Sequence, residues 1–571
     1  MGGLQTGELT QTLPGPAAAE PEERDGRPSR RWHWAAVAAA YLLPGLVLCA
    51  VYTRLSQTYT LNSDSANILL MGSDLLHGNL LLHHWYMSDV AFYPTELLQY
   101  ALLESFLGLS AQTAHIAAAM TYTLALLFAV MLARSGSSEL QAVTRMLIAA
   151  GIMLVPQFGL GVFAMDLSVG HIGTAVPLLL IWLLLDRADR SAPHWYVPVL
   201  VAVLLAWVQV ADPIVYLVGI GPLGIVSALR VIQGWKNAQG SRWRRLTAQW
   251  YDLSLGAASV AAAGLAWLAN HVLTALGGYT VNRLPFHLTP WSGLQYNWPA
   301  GWKVLEVFGA NYSGLHGLQF ALALLHLVSV ALVAWALARV ARRFFDVSLV
   351  DQILAMAIVL NVVLFMLTNA SDLAAHEVAI IVPFGAALAA RVLVRTRYRT
   401  LVERQDRRSR RVRLAALAAG ILVLIGYDAG LGWEITQPAL PAANTSLATW
   451  LFDHHLTYGL SGYWTSSVVT LDSDNRVQVR TVSQFTMQAD LWMANETWYD
   501  PQTHYANFIV VDSQPGYFSF WDPHQLIKKY FGKPARIYRF GPYTVLVWHK
   551  NLLLSIPGNP ANPAPRPVRP G

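Results

Sequence analysis

From Leu318 to Ala338 the chain carries no Asp, Glu, Lys or Arg and is built mostly of Leu, Ala and Val. A helix of about 20 such residues, rising 1.5 Å per residue, crosses the roughly 30 Å hydrocarbon core of a bilayer. Ten other stretches read the same way: Trp34–Val51, Thr113–Ala133, Met146–Ala164, Thr174–Leu185, Val197–Val210, Ile214–Leu229, Leu253–Leu273, Val350–Leu367, Val378–Leu393 and Leu414–Ala429. A chain that is 54% hydrophobic and 13% charged is not composed like a soluble protein. The expected fold class is an all-α polytopic membrane bundle of about 11 transmembrane helices.

The basic residues fall between the apolar runs, on alternate connections. They include Arg24–Arg31, Arg187 and Arg190, Arg230–Arg245, Arg339–Arg343 and the dense run Arg395–Arg413. The positive-inside rule then puts the N-terminus in the cytoplasm and everything after about Gly432 outside. The net charge of +6 is thereby an orientation signal, and nucleic acid is not an expected partner. Residues 1–32, rich in Pro, Glu, Gly and Arg, read as a disordered cytoplasmic tail. Residues 33–431 read as the membrane domain and 432–555 as a small extracytoplasmic α/β domain. Residues 556–571 are a Pro-rich disordered tail. In the outer domain "SVVTLDSDNRVQVRTV", "NFIVVDS" and "ARIYRFGPYTVLVWHK" read as strands, and "WDPHQLIKKYFG" as a helix closed by Gly532. The single cysteine, Cys49, excludes a disulfide framework within the chain.

Asn62–Leu98, just outside the first span, holds three Asp, three His and one Glu. Ionisable groups at a membrane edge are costly unless they are used. "ANILLMGSDLL" and "TELLQYALLESFLGL" are amphipathic at helical spacing and too short or polar to span. They read as two helices lying in the outer interface, with Pro94 a start signal for the second. Asp166, His171, Asp212, Arg283, His376 and Glu377 fall on the same face.

The segments "DSANILLMGSDLLHGN", "FYPTELLQYALLESFLGLS", "MDLSVGHIGT" and "DLAAHEVAIIVPFGAAL" carry a resemblance. In order and spacing they resemble the GT-C superfamily of membrane glycosyltransferases, in particular bacterial relatives of protein mannosyltransferases and the lipid A aminoarabinose transferase. Ser65 stands where those proteins have a second acidic residue, Tyr93-Pro94 where they have His-Pro or Pro-Pro, and His376-Glu377 where they have Arg-Tyr. The resemblance implies a polyprenyl-phosphate-linked sugar donor, an extracytoplasmic acceptor (glycan, lipid or protein), contact with membrane lipids, and a bacterial plasma membrane.

The resemblance places Asp64 as the general base; the plain alternative is an N-cap, since Ser63-Asp64 precedes a helical run. Asp166 is expected to position the acceptor or to cap a span. Arg283, with His376 and His171, is the candidate for the donor phosphate, because guanidinium and imidazole donors match its oxygens. Asp89 and His84 are further substrate-binding candidates, and Asp212-Pro213 reads as a turn. The sequence specifies no cofactor; a divalent cation, Mg2+ or Mn2+, is the candidate. A flippase or transporter, or a non-catalytic scaffold with an outer binding domain, are the competing classes.

Overall fold

The computed structural model describes residues 30–156, 170–191, 193–372, 375–394, 407–440, 444–513 and 521–559. The expected spans overlap helices α1 (Arg30–Ser56), α4 (Ala111–Arg134), α5 (Glu139–Met153), α6 (Ile172–Asp189), α7 (Tyr196–Ala211), α8 (Gly221–Asn237), α9 (Trp250–Ala275), α10 (Gly317–Arg342), α11 (Leu349–Leu367), α12 (Ile381–Leu393) and α13 (Arg407–Glu434); of the expected span Met146–Ala164, residues 157–164 lie outside the described residues. A π-helical turn, Tyr216–Ile220, leads into α8. By length and composition six of the described helical segments are long and apolar enough to cross a membrane, and three more are shorter apolar helices. The expectation of about 11 spans therefore reduces to a mostly helical membrane protein with six such segments among the described residues.

Sequence-local chemistry sets the helix ends. Ser110 and Ser348 accept from the backbone N–H groups of Thr113 (3.3 Å) and Asp351 (3.2 Å), capping α4 and α11. At the basic end of the bundle, buried Arg391 ties four helices together. It donates to Asp351 Oδ1 (2.5 Å), Asp186 Oδ1 (2.7 Å), Leu132 O (3.0 Å) and Ser348 Oγ (3.0 Å). Two carboxylates and a guanidinium with its donors spent are the form in which charge survives burial.

The first outer loop folds as α2 (Ser63–Leu76) and α3 (Glu96–Leu107), which cross closely, with β1 (Trp85–Met87) between them. β1 pairs in parallel with β2 (Thr280–Val281) and antiparallel with β5 (Ala494–Asn495). One small sheet thus knots the first loop, the loop after α9, and the C-terminal segment.

That segment carries a five-stranded sheet in the order β4-β3-β6-β8-β7. Its strands are β3 (Tyr458–Ser461), β4 (Gln478–Thr481), β6 (Phe508–Asp512), β7 (Arg536–Phe540) and β8 (Tyr543–Val547). β3 runs parallel to β4 and β6, and β6, β8 and β7 are antiparallel. All five residues of β6 are buried, as suits a central strand covered on both faces. The helices are α14 (Thr445–Asp453), α15 (Tyr463–Asp472) and α16 (His524–Phe531), the last closed by Gly532 at φ 73. One expectation is corrected here: "SVVTLD" is helical, within α15. Its Val468 and Leu471, three apart, join a core with Ile68, Leu69 and Trp85 of the first loop. Its Val469 joins the core of the sheet with Val479 and Val510. Burial on two sides overrides the strand preference of Val and Thr. From Gly45 onward the chain forms one compact unit.

Candidate active site

Asp64 sits in the first turn of α2. Asn62 is the N-cap, accepting from Ser65 N–H (3.2 Å), so Asp64 is not the cap and its carboxylate is left for other work. Ser63 Oγ donates to the carbonyl of Tyr463, and the Tyr463 hydroxyl donates to Asp64 Oδ1. Burial raises the proton affinity of Asp64, opposed by the Tyr463 hydroxyl and by His376.

Asp64 faces a cavity of about 330 Å3. The first loop supplies Asp64, Asp89 and Phe92. His171, His376 and Glu377 come from two other outer turns, and the C-terminal segment supplies Tyr463, Trp464, Asp490 and Trp492. The Asp89 turn is held by two backbone N–H groups, of Ala91 and Phe92, which donate to Ala211 O at the end of α7 (2.9 and 3.0 Å).

A buried relay supports this wall. His171 precedes α6 in a left-handed conformation (φ 64), and its Nδ1 meets Asp212 Oδ2 at 2.7 Å. Its Nε2 lies 3.3 Å from Glu377 Oε2, and His376 Nε2 lies 3.5 Å from the other Glu377 oxygen. Asp212 accepts further from Thr174 Oγ1 (2.5 Å) and Ile214 N–H (3.0 Å). Burial alone would favour neutral imidazole. The two carboxylates outweigh it and hold His171 well above its ordinary value. Asp89 is pushed up to about 6, by burial first and by Glu377 next. Beneath the loop Glu96, with Thr95 Oγ1 donating to it at 2.6 Å, is raised to about 7 by burial.

Of the residues expected from sequence, Asp64, Asp89, His171 and His376 line this one cavity. His171 uses both ring nitrogens on carboxylates, and His376 shares one of them, Glu377. His84 lies elsewhere: its Nδ1 is 2.8 Å from Glu496 Oε1, on the exposed seam with the C-terminal segment. Arg283 is exposed and outside the lining, although the next residue, Leu284, is part of it. Asp166 falls outside the described residues. Tyr463 belongs to an aromatic segment that reads in sequence as a sugar-stacking candidate or as core, Asp490 is not singled out by the sequence, and Asp212 reads there as a turn. The signals available were the aromatic cluster "YGLSGYW" and the isolated acid in "MQADLWM". Among the described residues no group of three or more His, Cys, Asp or Glu is arranged to hold a metal ion, and no Lys or Arg lines the cavity.

No protein-family model and no curated protein matches the sequence. Solved structures do match. ArnT from Cupriavidus metallidurans aligns in its apo state and bound to undecaprenyl phosphate, in each case at 12% identity with a TM-score of 0.52. The alignment covers 90% of this chain and 98% of that one. At this identity the likeness is one of fold alone: the chain shares the fold of ArnT over nearly its whole length.

Proposed function

We propose that the chain is a membrane glycosyltransferase that moves a sugar from a polyprenyl-phosphate carrier to an acceptor hydroxyl at the outer face of a bacterial plasma membrane. The observation that carries this reading is Asp64, raised in proton affinity and facing a cavity flanked by imidazole, carboxyl and indole side chains. The fold shared with ArnT, one of whose structures holds undecaprenyl phosphate, supports the class of donor.

The acceptor O–H gives its proton to Asp64 as its oxygen bonds to the anomeric carbon. The carbon–oxygen bond to the phosphate breaks, and that electron pair leaves on the lipid phosphate. His376, a quarter exposed into the cavity, is the donor assigned to the departing phosphate. Arg283, adjacent to the lining, is the second candidate, and Asp166 is retained as an acceptor-positioning carboxylate. Glu377 would repel a phosphate, but its oxygens face His171 and His376. Trp464 and Trp492 offer flat apolar faces against which sugar rings stack.

The test is Asp64→Asn in cells whose envelope glycans are read by mass spectrometry. The expected result is a 10²- to 10⁴-fold loss of one glycan modification, roughly what a general base contributes, at unchanged membrane abundance. An unaltered glycan profile overturns the reading.

A further inference from the structure

Tyr463 lies 399 residues from Asp64 in sequence, yet its hydroxyl meets the Asp64 carboxylate. The arrangement around it is over-determined. Tyr463 is the first residue of α15, and its carbonyl accepts from Ser63 Oγ of α2 and from Ser466 Oγ (3.1 Å). Asn67 Nδ2, one turn beyond Ser63 on α2, lies 3.5 Å from the phenol oxygen, and Met493 Sδ is also at 3.5 Å. The ring packs edge-on against Trp464, with centroids 4.8 Å apart. The preceding Gly462 has no room for a side chain: a Cβ there would lie 2.5 Å from the Trp521 ring. Glycine therefore sets the path by which Tyr463 enters.

The α2–α15 contact does not need this hydroxyl. Val468, Leu471 and the Ser63 bond to the Tyr463 carbonyl already join the two helices. What the phenol adds is a neutral donor on one carboxylate oxygen, which leaves the second oxygen to take a proton. A neutral donor stabilises the carboxylate without the cation that would neutralise a base.

We propose that Tyr463 is a positioning residue by which the C-terminal segment holds Asp64, in orientation and in ionised form, as the proton acceptor of the transfer site. The proposal rests on the assignment of Asp64 above. The other titratable groups on this cavity are Asp89, His171, His376, Glu377 and Asp490. The Asp490 carboxylate accepts from Trp492 N–H (3.2 Å), and Glu377 faces the two histidines. Of these groups, His376 opposes the effect of burial on Asp64 alongside Tyr463.

The experiment uses the purified full chain in detergent. Dicyclohexylcarbodiimide, which modifies protonated carboxyls in apolar surroundings, is applied across a pH series, and modification at Asp64 is read by peptide mass spectrometry, with Asp64→Asn as the blank. In Tyr463→Phe the labelling midpoint is expected to rise by about one pH unit, a tenfold gain in proton affinity, because one hydrogen bond to the charged form is lost. In cells the same variant is expected to lose more glycan transfer, relative to the parent, in medium at pH 6 than at pH 8. A role in folding alone would lower transfer equally at both pH values. If Tyr463→Phe does not accumulate, Asn67→Ala decides: without that amide the phenol is a weaker donor, and the midpoint should rise by a smaller amount. An unmoved midpoint overturns the proposal. A shifted midpoint with normal glycans in Asp64→Asn cells would keep the positioning role and discard the transferase reading.

Discussion

Glu96 shows what a single carboxyl costs beneath this site. It is 4% exposed, and a Cβ on Gly173 would collide with its side chain at 1.8 Å, so glycine at 173 is the condition for its place. Its folded value near 7 lies above its ordinary value of 4.5. For a raised carboxyl, the associated stability is complete below the unfolded value and is lost as pH climbs through the folded one. The loss therefore falls between about pH 4.5 and 7 and amounts to about 3 kcal/mol. Glu96→Gln is expected to melt higher than the parent at pH 8 and close to it at pH 4.5, read by thermal shift in detergent. Equal melting differences at the two pH values would refute it. Asp212 is the counterpart: a residue that reads as an ordinary turn former is buried and holds His171. Nothing local distinguishes the two roles, since both use the same short carboxylate.

α3 is amphipathic in an unusual sense. Leu98, Leu102 and Phe106, four apart, are exposed, while Glu96, Tyr100 and Glu104 face the protein. Such a stripe suits a helix lying against lipid, with its polar groups turned to the protein. α2 reaches α3 at Gly72, where a Cβ would stand 3.4 Å from the Ala101 backbone and 3.0 Å from Glu104 Oε2. Gly72→Leu is expected to force the helices apart at a cost of about 1–3 kcal/mol, with Gly72→Ala costing less. Melting temperatures for the two variants check the order; a neutral Gly72→Leu would mean the crossing has slack. α15 carries the opposite lesson. Its composition reads as strand, and only its two buried faces make it a helix.

Across the whole molecule, the Asp64 cavity and the Arg391 network stand at opposite ends of α6, which begins after His171 and carries Asp186 near its far end. From the positive-inside pattern we propose that the Arg391 end is cytoplasmic and the cavity external. In a Cys49→Ser background, Phe485→Cys in the exposed C-terminal segment is expected to react with a membrane-impermeant maleimide in intact spheroplasts. Arg187→Cys should react only after permeabilisation. The reverse pattern would turn the cavity inward and remove it from any externally presented lipid-linked sugar.

Hydropathy was enough to locate the apolar helices and the two short helices of the loop after α1. Each of those follows from solvation along a contiguous stretch, which a local pattern records. Convergence was decided only in three dimensions. Asp64, Asp89, His171, His376 and Asp490 come from segments far apart in the chain, and His84 and Arg283, equally polar in the sequence, do not line the cavity. Which carboxyl is desolvated, which is paired and which a distant tyrosine holds depends on neighbours across the fold, and a one-dimensional pattern of polarity carries no record of them.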